Sequence, residues 1–249
     1  MLPKGSFATL ANGFQFHYHD GGQGDVVLFL HGSGTGASGF TNFKKNIDFF
    51  QRNGFRTIVP DLPGYGFSDK PEDEIYTMSF FNNLLLELLD HLNITNCSVV
   101  GNSLGGALAM GLSLEQPKRF SKLILMAPGG LEDFNAYQEM PGIKKLLGDF
   151  LGGEMNQEKI EGLLKLFPYD PSFVTKDIIE DRMEILPLMN QQVLASMDIP
   201  NLSEKLKNNQ TPVLAFWGSN DLFIPASGIN KILDLYTNSQ VVTFSNCGH

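Results

Sequence analysis

Short apolar runs bounded by glycine or proline recur along the first half of the chain. The run VVLFLH at 26–31 lies between Gly24 and Gly32 and is typical of a strand buried on both faces. Three later runs have the same character: FRTIVP (55–60), CSVVGN (97–102) and KLILMA (122–127). These runs predict the central strands of a sheet.

Segments with helical periodicity lie between the strand runs. In one of them apolar residues recur at steps of three and four, which marks an amphipathic helix; they are Ile75, Met78, Phe81, Leu85, Leu88 and Leu92. Another helix should follow Ser103 and end before Pro117. Alternation of strands and helices predicts an α/β protein with a mostly parallel sheet and right-handed crossovers.

The pattern changes after APGG at 127–130. The next segment lacks buried-strand runs and contains short helical patterns, such as QEKIEGLLKLF and TKDIIEDRMEIL, separated by prolines. Strand runs return at PVLAFWG and QVVTF. We therefore predict an α/β core formed by 1–130 and 209–249, with 131–208 as an inserted helical lid.

Composition narrows the possible partners. The 249 residues include 18 Lys plus Arg and 27 Asp plus Glu, a net charge of −9, without a basic block, so we expect neither a nucleic-acid nor a membrane partner. No apolar run is long enough for a transmembrane helix, and the N-terminal MLPKGSFATLANG does not resemble a signal peptide, so we expect a cytoplasmic protein. Cys97 and Cys247 form neither a disulfide framework nor a metal-binding pattern, and we predict no metal site.

The segment GNSLG matches the pattern G-x-S-x-G between a predicted strand and a predicted helix. At such a sharp turn a nucleophilic serine needs small neighbours, which Gly101 and Gly105 supply around Ser103. The backbone N–H of Leu104, at the start of the helix, can then stabilise an oxyanion. The alternative is a serine that caps the helix, with glycines for close packing.

A nucleophilic serine needs a base, and the base needs a carboxylate that orients it. Asp221 follows the predicted strand at 212–218, and His249 follows the one at 240–244. Ser103, Asp221 and His249 thus lie after the carboxyl ends of parallel strands, where open α/β sheets bind ligands. We predict a catalytic triad of these residues.

A glycine-rich loop follows the first predicted strand. In HGSGTG at 31–36, Gly32 and Gly34 allow the backbone to approach a substrate oxygen. We predict that the N–H of Ser33 is the second oxyanion donor, beside that of Leu104. Some of the phenylalanines could line an apolar pocket, among them Phe40, Phe134, Phe173 and Phe223.

Several segments together resemble the meta-cleavage product hydrolases, C–C bond hydrolases of the α/β-hydrolase fold that act in aromatic degradation: HGSGTGASGFTNF, GNSLGGALAM, KLILMAPGG, EDRMEILP and WGSNDLFIP. The resemblance covers essentially the whole chain. It implies a mostly parallel sheet flanked by helices, with a helical lid inserted after the sixth strand. Hydrolases of this kind are often dimers or larger, so a homo-oligomer is a possibility.

The resemblance also implies an activity. The chain would be a serine hydrolase that cleaves a C–C bond in a 2-hydroxy-6-oxo-hexa-2,4-dienoate, giving 2-hydroxypenta-2,4-dienoate and a carboxylic acid. No cofactor is implied, because the keto group of the substrate serves as the electron sink. Asn42, Asn102 and Arg182 would bind the substrate and its carboxylate, together with Gly32 and Gly34.

Arg182 can also be considered without the resemblance. In a helix over DIIEDRMEIL its neighbours at three and four positions are apolar, so the guanidinium projects from the hydrophobic face and needs an anionic partner. That partner is either a substrate carboxylate, bound bidentately, or an acidic side chain of the core. A third possibility is a side chain that extends to the surface. The resemblance favours the substrate.

Asn102 and Asn42 have structural alternatives as well. Asn102 precedes Ser103 and can be a turn residue that tolerates an unusual backbone. Asn42 can cap the helix predicted for FKKNIDFF, and this interpretation is slightly favoured if the resemblance is left aside.

The sequence departs from the family pattern at three places. Thr35 stands where the family usually has proline, and Leu104 where it often has methionine. The sequence stops at His249, whereas family members continue through an aromatic residue and a final helix, so we expect either a fragment or a compromised protein.

Two other functions fit the same residues. One is a carboxylesterase of the same fold in which Arg182 is structural. The other is a slow-turnover ligand receptor that retains the triad.

Overall fold

The structure is a computed structural model that describes residues 2–153, 155–190 and 192–249. It contains one sheet, whose strands are β1 (Ser6–Thr9), β2 (Gln15–Gly21), β3 (Asp25–Leu30), β4 (Phe55–Pro60), β5 (Cys97–Asn102), β6 (Phe120–Met126), β7 (Val213–Gly218) and β8 (Ser239–Phe244). The spatial order is β1-β2-β4-β3-β5-β6-β7-β8. The mostly parallel α/β sheet predicted from the sequence is confirmed.

The sheet has an antiparallel edge. Strand β1 pairs antiparallel with β2, and β2 pairs antiparallel with β4, whereas the strands from β4 to β8 are parallel. All six predicted strand runs are strands of this sheet. The hydrophobic pattern did not indicate β1 and β2, because SFAT is short and QFHYHDG alternates apolar with polar residues.

Helices α1 (Gly39–Arg52), α2 (Met78–His91), α3 (Leu104–Glu115) and α10 (Ser227–Leu235) accompany the parallel strands. The prediction of a helix between Ser103 and Pro117 is confirmed by α3. The predicted helix that included Ile75 begins later, at Met78, because Thr77 accepts a hydrogen bond from Phe80 N–H and caps it. Ile75 is 61% exposed and lies outside the helix.

The remaining helices lie between β6 and β7. They are α4 (Phe134–Gln138), α5 (Pro141–Leu151), α6 (Gln157–Leu164), α7 (Lys176–Ile185), α8 (Gln192–Ser196) and α9 (Ser203–Leu206). The helical patterns QEKIEGLLKLF and TKDIIEDRMEIL correspond to α6 and α7. Pro141 occupies the first turn of α5, where its missing N–H costs no hydrogen bond.

Alternate residues of β3 face opposite sides of the sheet. Leu28 and Leu30 are buried in a cluster that includes residues of α2, α3 and α10. Val27 and Phe29 are buried on the other side with Phe43 of α1. The parallel strands are therefore covered on both faces, as their continuous apolar runs predicted. No helix in the described part of the chain combines the length and the hydropathy needed to cross a bilayer.

Candidate active site

Ser103 lies between the end of β5 and the start of α3 with φ 53° and ψ −113°. Its backbone is held on both sides, since its N–H donates to Met126 O (3.0 Å) and its carbonyl oxygen accepts from Gly129 N–H (2.9 Å). Its hydroxyl makes no capping hydrogen bond to α3. Ser103 is therefore the N-cap residue of α3 by position, as the alternative interpretation expected, but its side chain does not cap the helix.

The two flanking glycines allow this turn to form. A Cβ atom at Gly101 would lie 2.4 Å from the carbonyl oxygen of Gly105, and one at Gly105 would lie 2.0 Å from that of Leu30. Both distances are far below van der Waals contact, so no larger residue fits unless α3 moves away from the sheet. The closeness of α3 to the sheet thus sets the position of Ser103.

Asp221 and His249 are in contact. The imidazole Nδ1 lies 2.8 Å from Asp221 Oδ2, and both side chains are buried, with 3% and 1% of their surface exposed. The other carboxylate oxygen accepts from the N–H groups of Phe223 (2.7 Å) and Ile224 (2.9 Å). These two donors fix the orientation of the carboxylate, and because Asp221 binds Nδ1 of the imidazole, Nε2 is the ring nitrogen left to face another group.

Within the described residues, hydrogen bonds join only two of the three predicted catalytic residues, Asp221 and His249. The described residues include no hydrogen bond from Ser103 Oγ, either to His249 or to another group. Hydrogen bonds of this kind are often longer in an enzyme without substrate than in its complex.

Two phenylalanines surround the imidazole of His249. The rings of Phe167 and Phe223 stack with centroids 4.2 Å apart, and their centroids lie 5.8 and 5.3 Å from that of His249. Phe167 O also accepts a hydrogen bond from His249 N–H (2.7 Å). Phe223 was a sequence candidate, whereas nothing in the local pattern around Phe167 indicated this contact. Of the other candidates, Phe134 is 63% exposed.

The two predicted oxyanion donors have no acceptor within the described residues. Neither Ser33 N–H nor Leu104 N–H donates a hydrogen bond there. A Cβ at Gly32 would lie 3.3 Å from Ser103 Cβ, so the glycine-rich loop lies directly against the serine. These N–H groups are therefore free to bind an anionic oxygen.

His31 holds this loop in place. Its Nε2 accepts from Leu62 N–H (2.9 Å), and its Nδ1 donates to Gly32 O (2.8 Å). Burial lowers the pKa of His31 to about 4, and the hydrogen bond to Gly32 only partly opposes this effect. The imidazole is neutral at pH 7, as its two hydrogen bonds require.

A cleft of about 730 Å³ lies beside these residues and is lined by Asn42, Asn102, Arg182 and His249 among others. Ser103 follows Asn102 and is half-buried, but it does not itself line the cleft. The cleft brings together residues of α1, β5, α7 and the last loop.

The two asparagines form a hydrogen-bonded pair. Asn42 Nδ2 donates to Asn102 Oδ1 (3.4 Å), and Asn102 Nδ2 donates to Met126 O (3.2 Å). The interpretation of Asn42 as a helix cap is wrong, because Ser38 caps α1 in a capping box with Thr41. Asn102 ends a regular strand, and the unusual backbone belongs to Ser103 instead.

Arg182 is half-buried and lines the cleft. Its Nη1 lies 3.9 Å from the position that a Cβ of Gly34 would take. Burial lowers the pKa of Arg182 to about 10, with Asp181 opposing the shift, so the guanidinium stays charged at pH 7. In residues 2–153, 155–190 and 192–249 the guanidinium has neither an ion pair nor a hydrogen-bond acceptor, which argues against a structural salt bridge.

A second His–Asp pair lies outside the cleft and was not expected from the sequence. His17 Nδ1 lies 2.7 Å from Asp61 Oδ2, and Asp61 also accepts from Gly39 N–H (2.7 Å) and Phe67 N–H (2.9 Å). Burial opposes ionisation of Asp61, but the hydrogen bond and charge of His17 outweigh it and the pKa of Asp61 is lowered. The pair joins β2 to the first residue of α1.

The chain is similar in sequence to known proteins. A family model described as the alpha/beta hydrolase fold matches residues 25–157. The chain is 33% identical over 246 residues to a 2-hydroxy-6-oxo-6-phenylhexa-2,4-dienoate hydrolase of Burkholderia cepacia, covering 95% of this chain and 85% of the relative. It is 32% identical, with the same coverage, to a 2-hydroxy-6-oxononadienedioate/2-hydroxy-6-oxononatrienedioate hydrolase of Comamonas testosteroni.

Solved structures are similar as well. A meta-cleavage product hydrolase from Pseudomonas fluorescens superposes with a TM-score of 0.88 at 28% identity, covering 99% of this chain and 91% of the other. An esterase from Exiguobacterium antarcticum has a TM-score of 0.83 at 22% identity, covering 98% and 92%, and shares the fold.

Proposed function

The chain belongs to the α/β-hydrolase fold family and is a hydrolase, and from this premise we propose that it cleaves a C–C bond in a 2-hydroxy-6-oxo-hexa-2,4-dienoate with Ser103, His249 and Asp221 as its catalytic triad. The observation that carries the choice of substrate is the Arg182 guanidinium, which lines the cleft and has no ion pair with any residue that the structure describes. A charged group half-buried without an anion is costly, and a substrate carboxylate removes that cost.

The substrate carboxylate would bind at the side of the cleft formed by α7 and α1. Arg182 can hold it with two parallel N–H donors, as guanidinium groups do with carboxylates. The Nδ2 groups of Asn42 and Asn102 already donate to protein acceptors, and their remaining N–H donors can turn to the carboxylate or the adjoining enol oxygen. Curated relatives named for dienoate substrates support this assignment.

The chemistry then follows from the triad. The dienol loses its C2 hydroxyl proton and takes one up at C5, which gives a C2 ketone. Ser103 Oγ then attacks the C6 carbonyl and passes its proton to His249 Nε2. Asp221, hydrogen-bonded at Nδ1, stabilises the imidazolium. The N–H groups of Ser33 and Leu104 stabilise the oxyanion by about 3 kcal/mol each.

Cleavage of the C5–C6 bond leaves the electron pair delocalised onto the C2 oxygen, and protonation of the dienolate gives 2-hydroxypenta-2,4-dienoate. Water then hydrolyses the acyl group on Ser103 and releases the carboxylic acid. Because the ketone accepts the electron pair, we propose that the reaction needs no cofactor. Attack requires Ser103 Oγ and His249 Nε2 to approach each other, and we assign this approach to substrate binding.

We propose a lid role for the helices of 131–208, with 1–130 and 209–249 as the catalytic core. Two contacts support it. Phe167, between α6 and α7, packs on the His249 ring, and Arg182 of α7 faces the cleft. A substrate must pass these residues to reach Ser103.

The test compares two substrates. The chain and its Ser103→Ala variant would each be mixed with a dienoate ring-fission product, whose visible absorbance decays on cleavage, and with an aryl ester. We expect efficient dienoate decay that Ser103→Ala abolishes and Arg182→Met weakens through KM. If only the ester is cleaved and Arg182→Met has no effect, the protein is an esterase and the proposal is wrong.

A further inference from the structure

Lys44 connects α1 to α7. Its Nζ lies 2.5 Å from Asp181 Oδ2 and 3.4 Å from Asp177 Oδ2, so one ammonium group binds two carboxylates of the same helix. The side chains of Lys44 and Asp181 are only 24% and 22% exposed. The hydrogen bond to Asp181 is the largest effect that raises the pKa of Lys44, and the group is charged throughout the physiological range.

The Asp181 carboxylate is the acidic group that acts electrostatically on Arg182, its neighbour in the chain. It makes no hydrogen bond to the guanidinium, because adjacent helical residues point in different directions and Lys44 already occupies it. The backbone of α7 is seated close by, since a Cβ at Gly36 would lie 2.5 Å from Arg182 O. Arg182 thus lies between the loop that contains Gly36 and the Asp181 carboxylate that Lys44 binds.

We propose that Lys44 is a positioning residue for Arg182: by binding Asp181 it ties α7 to α1 and keeps the Arg182 guanidinium unpaired in the cleft, available to a substrate carboxylate. This inference rests on the proposed function, in which Arg182 binds that carboxylate. Without Lys44, the Asp181 carboxylate is free to turn to Arg182, and α7 loses its anchor on α1. Both changes weaken binding of an anionic substrate and leave the acyl chemistry at Ser103 untouched.

The experiment measures KM and kcat for a dienoate and for a neutral aryl ester in Lys44→Met. We expect KM for the dienoate to rise about tenfold, as for loss of one specific ion pair, with kcat and ester hydrolysis little changed. Lys44→Arg should restore most of the affinity. The matched control is Lys176→Met, which removes an ion pair of the same helix, Lys176–Glu180, that is exposed at 89% and 63% and should leave KM unaltered.

Asp181→Asn separates positioning from direct binding. If Lys44 acts by anchoring α7 through Asp181, Asp181→Asn raises KM for the dienoate as Lys44→Met does. The KM of the double variant is then no higher than that of either single variant. If Asp181→Asn leaves KM unchanged and the double variant has the wild-type KM, Lys44 acts by keeping the Asp181 carboxylate away from Arg182. If Asp181→Asn leaves KM unchanged but the double variant raises it as much as Lys44→Met does, Lys44 touches the substrate itself and the inference is overturned.

The Arg182→Met variant distinguishes a failure of the proposed function from a failure of the positioning role of Lys44. An effect of Arg182→Met with none from Lys44→Met overturns the positioning role and leaves the proposed function standing. A wild-type chain that does not cleave the dienoate overturns both.

Discussion

The main-chain N–H of His249 donates a 2.7 Å hydrogen bond to the carbonyl oxygen of Phe167. The residue that we propose as catalytic base is thereby bonded directly to the helical segment between β6 and β7. The Phe167 ring packs beside the same imidazole and stacks on Phe223 at 4.2 Å.

We expect Phe167→Ala to lower kcat about fivefold, because the imidazole loses one wall of its pocket, and such an aromatic contact contributes about 1 kcal/mol. Steady-state kinetics with the dienoate measure the effect. Phe134→Ala is the control, since Phe134 is 63% exposed and touches neither ring. An unchanged kcat in Phe167→Ala would argue against any contribution of this contact to catalysis.

The strained backbone of Ser103 predicts a trade between activity and stability. At φ 53° a glycine is unstrained, so Ser103→Gly should raise the free energy of unfolding by about 1 kcal/mol while abolishing turnover. Denaturant unfolding measures the first effect. Ser98→Gly, in the preceding strand β5 and without a positive φ, should destabilise instead. Destabilisation by Ser103→Gly would contradict the strain.

The packing of α3 on the sheet predicts opposite effects of alanine at two glycines. Gly105→Ala should cost about 1–3 kcal/mol, because its Cβ would lie 2.0 Å from Leu30 O. Gly148→Ala, in the exposed helix α5 with nothing within 4 Å of the new Cβ, should stabilise by about 0.5–1 kcal/mol. Thermal melts of the two variants give the comparison, and equal melting temperatures would refute the close approach.

Burial of neutral His31 predicts a dependence of stability on pH. Its pKa is about 4 in the folded protein against 6.5 for the unperturbed group, so the unfolded chain takes up the proton more readily. The contribution of His31 is fully present above about pH 6.5 and is lost as the pH falls towards 4, a change of about 3 kcal/mol. Urea unfolding of wild type and His31→Gln between these pH values should show their stability difference shrinking as the pH falls. A constant difference would show that His31 does not titrate in this way.

The sequence predicted the parallel strands and the turn at Ser103 because their signals are local. Buried strands are continuous apolar runs, and a strained turn needs glycines at fixed spacing. Asp221 and His249 were predicted to lie close together because parallel strands end at one edge of the sheet, and their side chains are 2.8 Å apart. The first two rules depend only on neighbours in the chain, and the third follows from the general topology of parallel sheets.

Two of the features that sequence reasoning missed depend on distant partners, and the third, the start of α1, depends on a local capping box that apolar periodicity does not reveal. Asn42 was assigned to a cap because the capping box of Ser38 and Thr41 begins the helix one turn earlier than the apolar pattern suggested. The pair of His17 and Asp61 joins residues 44 positions apart, and Phe167 meets His249 only after the helical segment has folded over the sheet. Local periodicity carries no information on such contacts.

The strand order has a consequence for the protein during its synthesis. Strands β3, β4 and β5, which present Ser103, can pair as soon as the ribosome has released the first part of the chain, whereas Asp221 and His249 follow β7 and β8. Between them the ribosome must add the whole helical segment. A nascent chain therefore carries Ser103 without its proposed base, His249, and the proposed triad is complete only after β8 has joined β7.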